Sequence, residues 1–237
     1  LKGTFLLSQA AARVMVEHNL ELLAACDWIV ESVVERLEVK RALLASVDAV
    51  RRPGTIVSTN TSGLPIAAMA AGRSDDFRRH WLGTHFFNPP RYLHLLEVVP
   101  GPDTDNAVVG RVTLFADRRL GKGVVVAKDT PNFIANRIGM FAVLRVLEVF
   151  QAGGWSIEEI DTLTGPLLGR PKSATFRTLD LAGLDVLGHV AATMVSSLPA
   201  GEERAGFALP AVADELINRG WLGEKTGQGF YKRVKLP

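Results

Sequence analysis

Residues 28–58 read WIVESVVERLEVKRALLASVDAVRRPGTIVS: a short apolar run, an amphipathic stretch and a second apolar run. The two runs, Trp28 to Val33 and Thr55 to Ser58, are rich in β-branched residues and short enough to be strands. Between them, Arg36 to Val50 repeats apolar residues at Leu37, Leu43, Leu44 and Val47, as one face of a helix does. Strands joined through a crossover helix run parallel, because the helix returns the chain to the edge where it started. The same alternation extends outward to Asp129. Further runs lie at Leu82 to Phe87, Leu95 to Val99 and Val124 to Val126, and a second helical pattern at Thr104 to Leu120 carries Val108, Val112 and Phe115. Residues 27–129 are therefore expected to form a mostly parallel α/β sheet.

Beyond Asp129 the strand signals stop. Pro131 sits where proline is tolerated, in the first turn of a long helix expected to run to about Gln151, with Asp129 or Thr130 as its cap. Gly153-Gly154 ends that helix, and Ser156-Ile-Glu-Glu reads as a capping box opening a short one. Helical patterns recur at Asp180 to Ser197 and Pro210 to Arg219. These signals divide the chain into an α/β domain at 1–128 and an all-helical domain at 129–237.

The composition excludes several classes. At 237 residues, 47% of them hydrophobic and 22% charged, the chain can bury a sizeable core. The net charge of +2 comes from scattered Lys and Arg without a basic run, which argues against a nucleic-acid partner. The single cysteine, Cys26, offers no internal disulfide and no metal-ligand cluster; it suits a reducing compartment, and the protein is read as cytoplasmic. No apolar stretch reaches the roughly 18 residues that span a bilayer.

Chemistry concentrates in three places. His85-Phe-Phe-Asn-Pro ends one expected strand, and Glu97 lies within the next, so neighbouring strands can bring the two together. An imidazole whose Nδ1 hydrogen is held by a buried carboxylate presents Nε2 as a base, and the carboxylate stabilises the imidazolium that follows. On residue types alone, a satisfied strand-end histidine and an edge-strand charge are the simpler account. Asn60-Thr-Ser62-Gly follows the strand ending at Ser58, where open α/β sheets bind ligands; a polar loop capping the next helix explains it as well. In Asp129-Thr-Pro-Asn-Phe-Ile-Ala-Asn136-Arg, a second-turn Asn136 is the odd residue, because asparagine gains little in a helix unless its amide is used.

Taken together, these stretches resemble the L-3-hydroxyacyl-CoA dehydrogenase family. The resemblance is carried by Val30-Glu-Ser-Val-Val-Glu35-Arg-Leu-Glu-Val-Lys40, Asn60-Thr-Ser62, His85-Phe-Phe-Asn88-Pro, Leu96-Glu97-Val, Lys128-Asp-Thr-Pro-Asn-Phe-Ile-Ala-Asn136-Arg and Lys225-Thr-Gly-Gln-Gly-Phe-Tyr. It runs from about Leu20 to Lys232, with the motifs in family order. Pro89-Pro-Arg-Tyr-Leu-His and Gly165-Pro-Leu-Leu-Gly-Arg-Pro-Lys-Ser-Ala-Thr-Phe-Arg look most like the branch fused to an enoyl-CoA hydratase. The resemblance implies a Rossmann-type doubly wound sheet with a helical C-terminal domain, NAD as cofactor and an acyl-CoA substrate of β-oxidation. It makes His85 the general base and Glu97 its orienting partner. Ser62 and Asn136 are implied to hold the 3-oxygen or thioester region, and Asn88 to set the geometry of base and nicotinamide. Glu35, Lys40 and Lys225 match cofactor-contacting positions, although solvated charges explain those three equally well. Family members commonly pair through the helical domain, so a homodimer is expected.

A complete dinucleotide-binding domain opens with a strand and a G-x-G-x-x-G turn. These residues contain no such turn; Gly3 is the only glycine before Gly54. The expectation is a partial Rossmann-type sheet without its first βαβ unit of about 30 residues or more, part of a longer chain, binding NAD poorly by itself. Two other readings stand beside the leading one: a dehydrogenase of a non-CoA hydroxy substrate, and a non-catalytic structural or assembly protein that keeps the fold.

Overall fold

The computed structural model describes residues 20–198 and 200–234. They fall into two compact units, divided between Ile134 and Ala135.

The first unit is built on a five-stranded sheet of β1 (Trp28–Glu31), β2 (Ile56–Thr59), β3 (Trp81–Phe86), β4 (Leu95–Pro100) and β5 (Gly123–Val126), in that spatial order. β1, β2 and β3 are parallel; β4 returns antiparallel beside β3, and β5 runs parallel to β4. The antiparallel joint has a simple cause: residues 87–94 between β3 and β4 are fewer than the dozen or so that a crossover needs. The sheet is thus mixed, and the expected parallel order holds for three of its four joints.

Helices α1 (Leu37–Val50), α2 (Ile66–Ala70) and α3 (Asp75–Arg79) cover one face, and α4 (Asn106–Leu120) the other. On the first face Leu44, Val47, Ile66, Met69 and Phe77 pack with Val57, Trp81 and Val99. On the second, Val108, Val112 and Ala116 meet Ile56, Leu82, Leu96 and Val98. Neighbouring strand residues such as Ile56 and Val57, or Val98 and Val99, go to opposite faces, as the pleat requires. Burying each of the Val, Leu, Ile, Met and Phe side chains among these stabilises the unit by roughly 1.5–3 kcal/mol.

Where the chain leaves the sheet, the structure departs from the sequence pattern. The long helix α5 (Ala135–Ala152) starts at Ala135 rather than in the turn of Pro131. The break is set by Asn132 and Phe133, which adopt left-handed backbone at φ 58° and 50° and so cannot continue a right-handed helix. Asp129 does not cap that helix either. Its carboxylate reaches back to α2 and accepts the N–H groups of Ile66 and Ala67, each at 2.9 Å.

The second unit is helical: α5, α6 (Ile157–Thr164), α7 (Phe176–Ala182), α8 (Leu184–Ser197), α9 (Glu202–Ala205) and α10 (Ala211–Asn218). The capping box at Ser156 is present, with the Glu159 N–H donating to Ser156 Oγ at 3.2 Å and the Ser156 N–H to Glu159 Oε2 at 2.8 Å. The single pattern over Asp180 to Ser197 is broken by Gly183, at φ 99°, into α7 and α8, which meet at 92°. Leu144, Leu147, Phe176, Leu184 and Met194 form the core.

Two buried or half-buried aspartates fasten the end of this unit. Asp180 accepts the N–H groups of Phe230 and Tyr231, and Asp161 accepts those of Thr175, Phe176 and Arg177 together with the Tyr231 hydroxyl. Burial pushes the Asp180 carboxyl and the Tyr231 hydroxyl upward in pKa. A side chain at Gly229 would collide with Asp180 Oδ1, which gives the glycine of Lys225-Thr-Gly-Gln-Gly-Phe-Tyr a packing reason.

Candidate active site

On the face covered by α1 and α2, the apolar pattern of the strands gives way to polar residues at the carboxyl ends of β1, β2 and β3. Glu31 ends β1, Thr59 faces it from β2, and His85 sits one residue from the end of β3. All three are buried, as is Glu97 on β4. Polar groups persist in such a place only when their hydrogen bonds are met.

His85 and Glu97 stand directly opposite each other in the antiparallel register. Nδ1 of His85 lies 2.8 Å from Glu97 Oε2, and the two residues are only 4% and 1% exposed. Glu97 Oε1 accepts the N–H of Ile134 at 2.9 Å. The rings of Phe87 and Phe133 flank the imidazole, with centroids 4.4 and 5.7 Å away. A carboxylate only accepts, so Nδ1 carries a hydrogen, and in the neutral ring Nε2 holds the lone pair. The arrangement fixes the orientation of the ring.

The loop after β2 is tied to this pair. Asn60 Oδ1 accepts the N–H of Phe86, the neighbour of His85, at 2.9 Å. Thr61 Oγ1 accepts the Leu64 N–H at 3.0 Å, so this loop turns on its own side chains as well as leading into α2. Ser62 is exposed, and its N–H donates to Glu35 Oε1 at 2.9 Å. Gly63 packs against Asn132; a Cβ there would lie 2.7 Å from Asn132 Oδ1.

Glu35 and Lys40 belong to the same network. Lys40 is buried, with Nζ 2.9 Å from Glu31 Oε1, 3.2 Å from Glu35 Oε2 and 3.2 Å from the Val33 carbonyl. Glu31 also accepts the Val33 N–H and the Thr59 hydroxyl, each at 2.6 Å. Glu35 accepts hydrogen bonds from the Thr61 hydroxyl and the Ser62 N–H. Burial pushes the Glu35 carboxyl upward, but the Thr61 hydroxyl, the Lys40 charge and the Ser62 N–H outweigh it and hold it below the ordinary glutamate range.

The remaining site residues are placed as follows. Asn88 is exposed in the segment after β3. Asn136 is the second residue of α5 and so lies in its first turn, where asparagine is ordinary; the later helix start removes the oddity seen in the sequence. Lys225 pairs with Asp185. Asn136 and Lys225 belong to the helical unit, and the other six to the first. Among the described residues, no group of three or more His, Cys, Asp or Glu is placed to hold a metal ion.

Residues 5–130 match the family model described as 3-hydroxyacyl-CoA dehydrogenase, NAD binding domain, and residues 133–233 match the C-terminal domain of the same family. The chain belongs to the 3-hydroxyacyl-CoA dehydrogenase family. The NAD binding domain of that family takes in Glu35, Lys40, Ser62, His85, Asn88 and Glu97, while Asn136 and Lys225 fall in the C-terminal domain. A probable 3-hydroxyacyl-CoA dehydrogenase of Bacillus subtilis is 52% identical over 218 residues, which are 92% of this chain and 28% of that protein. A probable 3-hydroxyacyl-CoA dehydrogenase of Deinococcus radiodurans is 46% identical over 220 residues, 93% of this chain and 63% of that protein. The chain thus spans less than two thirds of the length of either relative. Among solved structures, FadB2 of M. tuberculosis is similar at 32% identity with a TM-score of 0.81, covering 91% of this chain and 73% of that one.

Two features of this network were not expected from the sequence: the part of Glu31 and the burial of Lys40. The signals were present: Glu31 shares a strand face with Ile29, and Lys40 shares a helix face with Leu44 and Val47, so both fall on buried stripes.

Proposed function

We propose that this protein oxidises L-3-hydroxyacyl-CoA to 3-ketoacyl-CoA with NAD, a step of fatty-acid β-oxidation, with His85 as the general base. The observation that carries the reading is the buried His85–Glu97 pair, which leaves Nε2 as the nitrogen able to take a proton. The names of the similar proteins support the substrate class.

His85 Nε2 accepts the proton of the substrate 3-hydroxyl as the C3–O bond becomes a carbonyl. Glu97 keeps the ring oriented and stabilises the imidazolium formed, its own position fixed by the Ile134 N–H. Bound NAD supplies the acceptor for the hydride that leaves C3. Ser62 and Asn136 hold the 3-oxygen or thioester region, and Asn88 helps set the geometry around the base. Glu35 fits the cofactor through its chemistry. A carboxylate has about four acceptor positions, and the Thr61 hydroxyl, Ser62 N–H and Lys40 ammonium use three of them. Glu35 is 42% exposed on its side chain and is left with acceptor capacity for a ribose hydroxyl. Lys225 takes part from the helical domain.

The same reading pairs two copies through the helical domain, supported by Ile138, Phe141 and Val149, apolar and exposed along one face of α5. Light scattering at micromolar concentration gives a dimer on this view and a monomer if it fails. Among the described residues no single helix is long and apolar enough to cross a membrane. The free Cys26 suits a reducing cytoplasm.

The deciding experiment offers purified protein and NAD either L-3-hydroxybutyryl-CoA or free 3-hydroxybutyrate and follows NADH formation. Turnover of the CoA ester alone supports the reading. Turnover of the free acid alone moves the substrate class, and turnover of neither overturns the proposal in favour of a non-catalytic protein.

A further inference from the structure

We propose that Lys122 is a positioning residue for the reaction: its buried ammonium fastens the turn between β3 and β4, and so fixes Phe87 and Asn88 around the His85 base. The inference rests on the reaction proposed above and adds a residue to it.

The first argument is the cost of placing a lysine there. Lys122 stands two residues beyond the end of α4 and is only 6% exposed. Among the described residues no carboxylate pairs with it, and burial pushes its ammonium below the ordinary lysine pKa. An unpaired ammonium in the interior is costly, and an apolar side chain of similar length would avoid that cost. The compensation is local. Nζ donates to the carbonyls of Pro90 and Leu93, the second at 2.6 Å, and lies 6.0 Å from the centre of the Phe86 ring.

The second argument is what those bonds hold. Pro89 and Pro90 have no N–H, so this part of the turn cannot donate to the sheet. The N–H groups of Tyr92 and Leu93 go back to the Pro89 carbonyl, at 2.9 and 3.1 Å, and close the turn on itself. Lys122 ties the closed turn to the sheet through Pro90 and Leu93, and the N–H of Gly123 adds the His94 carbonyl at 2.9 Å. The lysine reaches out from a fixed point, since its own N–H donates to the Ala116 carbonyl of α4 at 3.0 Å.

The third argument is the place of this turn in the site. Asn60 anchors Phe86 and Lys122 anchors Pro90, which leaves residues 87–89 suspended between two held points. Phe87 packs on His85 with ring centroids 4.4 Å apart, and Asn88 is the next residue. Releasing Pro90 frees this short span while the His85–Glu97 bond, made between paired strands, stays in place. The base is then intact but its surroundings are loose, and a misplacement of about 1 Å can cost on the order of 10²-fold in rate.

The test compares intact wild-type protein with Lys122→Met, which keeps the length but loses the donors, and Lys122→Gln, which is shorter but keeps an amide donor. Calorimetric titration with NADH counts the binding sites and gives their affinity. Turnover of L-3-hydroxybutyryl-CoA, unlabelled and deuterated at C3, is then expressed per binding site, so unfolded molecules do not enter. Lys122→Met is expected to lower kcat per site at least about tenfold, with NADH affinity unchanged and a deuterium isotope effect no smaller than that of wild type. Lys122→Gln is expected to fall between the two, and it carries the test where the methionine variant does not fold. Native turnover per site in Lys122→Met overturns the proposal. A loss confined to the number of binding sites shows a role in folding alone and overturns it too. So does a loss of NADH affinity as large as the loss of kcat, or an isotope effect that vanishes, because hydride transfer is then not the step that slowed. Wild type that fails to oxidise the CoA ester overturns the reaction assignment and this inference together.

Discussion

Glu97 Oε1 takes the backbone N–H of Ile134 at 2.9 Å, so the carboxylate that holds His85 is itself held by the segment leaving the sheet. Each oxygen holds one of these groups, so the carboxylate cannot rotate without losing both contacts.

This geometry sets the expectation for catalysis. His85→Gln should lower kcat by at least about 10²-fold, the lower end for a positioned base, with NADH affinity nearly unchanged. Glu97→Gln keeps the shape but loses the charge and should also be slow. Because the two act as a unit, the double variant should be little slower than His85→Gln alone. Steady-state kinetics on the three variants checks this, and near-native turnover in both single variants would remove His85 from the mechanism.

Asp129→Ala should destabilise the first unit by about 1–2 kcal/mol, since it strips the acceptor from two N–H groups at the start of α2. Asp129→Asn retains one oxygen and should lose less. Denaturant midpoints of the two variants give the comparison; equal stability for wild type and Asp129→Ala means the contact contributes nothing.

In the helical unit, Gly229→Ala forces a methyl group onto Asp180 Oδ1 and should cost roughly 1–3 kcal/mol. Asp180→Ala removes the obstacle but leaves the Phe230 and Tyr231 N–H groups without their acceptor, at a cost of similar size. The two losses should therefore combine less than additively in urea unfolding, whereas strict additivity would show that the two residues do not collide.

Tyr231 predicts a pH dependence. Burial, helped by the hydrogen bond to Asp161, raises its hydroxyl pKa above the ordinary tyrosine value. A group whose folded pKa is raised contributes stability that is complete below the unfolded pKa, about 10 for tyrosine, and is lost as pH climbs from there toward the folded value. Stability should thus fall above about pH 10, and Tyr231→Phe should flatten that fall. Urea midpoints across the alkaline range test it, and equal slopes for the two proteins would assign the loss to another group.

Much of this molecule is legible in its sequence. The strands at Trp28, Ile56, Trp81, Leu95 and Gly123 lie within a residue or two of the apolar runs at their N-terminal ends, because two-face burial leaves a continuous apolar signature. The His85–Glu97 contact follows from the same pattern, since the two residues sit on adjoining strands with a short connection. What escaped notice depends on conformations and partners that no local window contains. The left-handed turns at Asn132 and Phe133 end a helical pattern that their residue types permit. Asp129 caps a helix more than sixty residues before it, and the network around Lys40 forms only when β1, β2 and α1 are assembled.

The Asp129 contact also orders events in time. α2 has five residues, too few to persist as an isolated helix, and its N-terminal acceptor lies 62 and 63 positions downstream. In the order of synthesis α3, β3, β4, α4 and β5 all precede that acceptor. Contacts of such sequence separation form slowly, because the intervening loop must close first. The loop bearing Ser62 leads directly into this helix, so the segment from Asn60 to Ala70 depends for its final anchoring on residues made long after it.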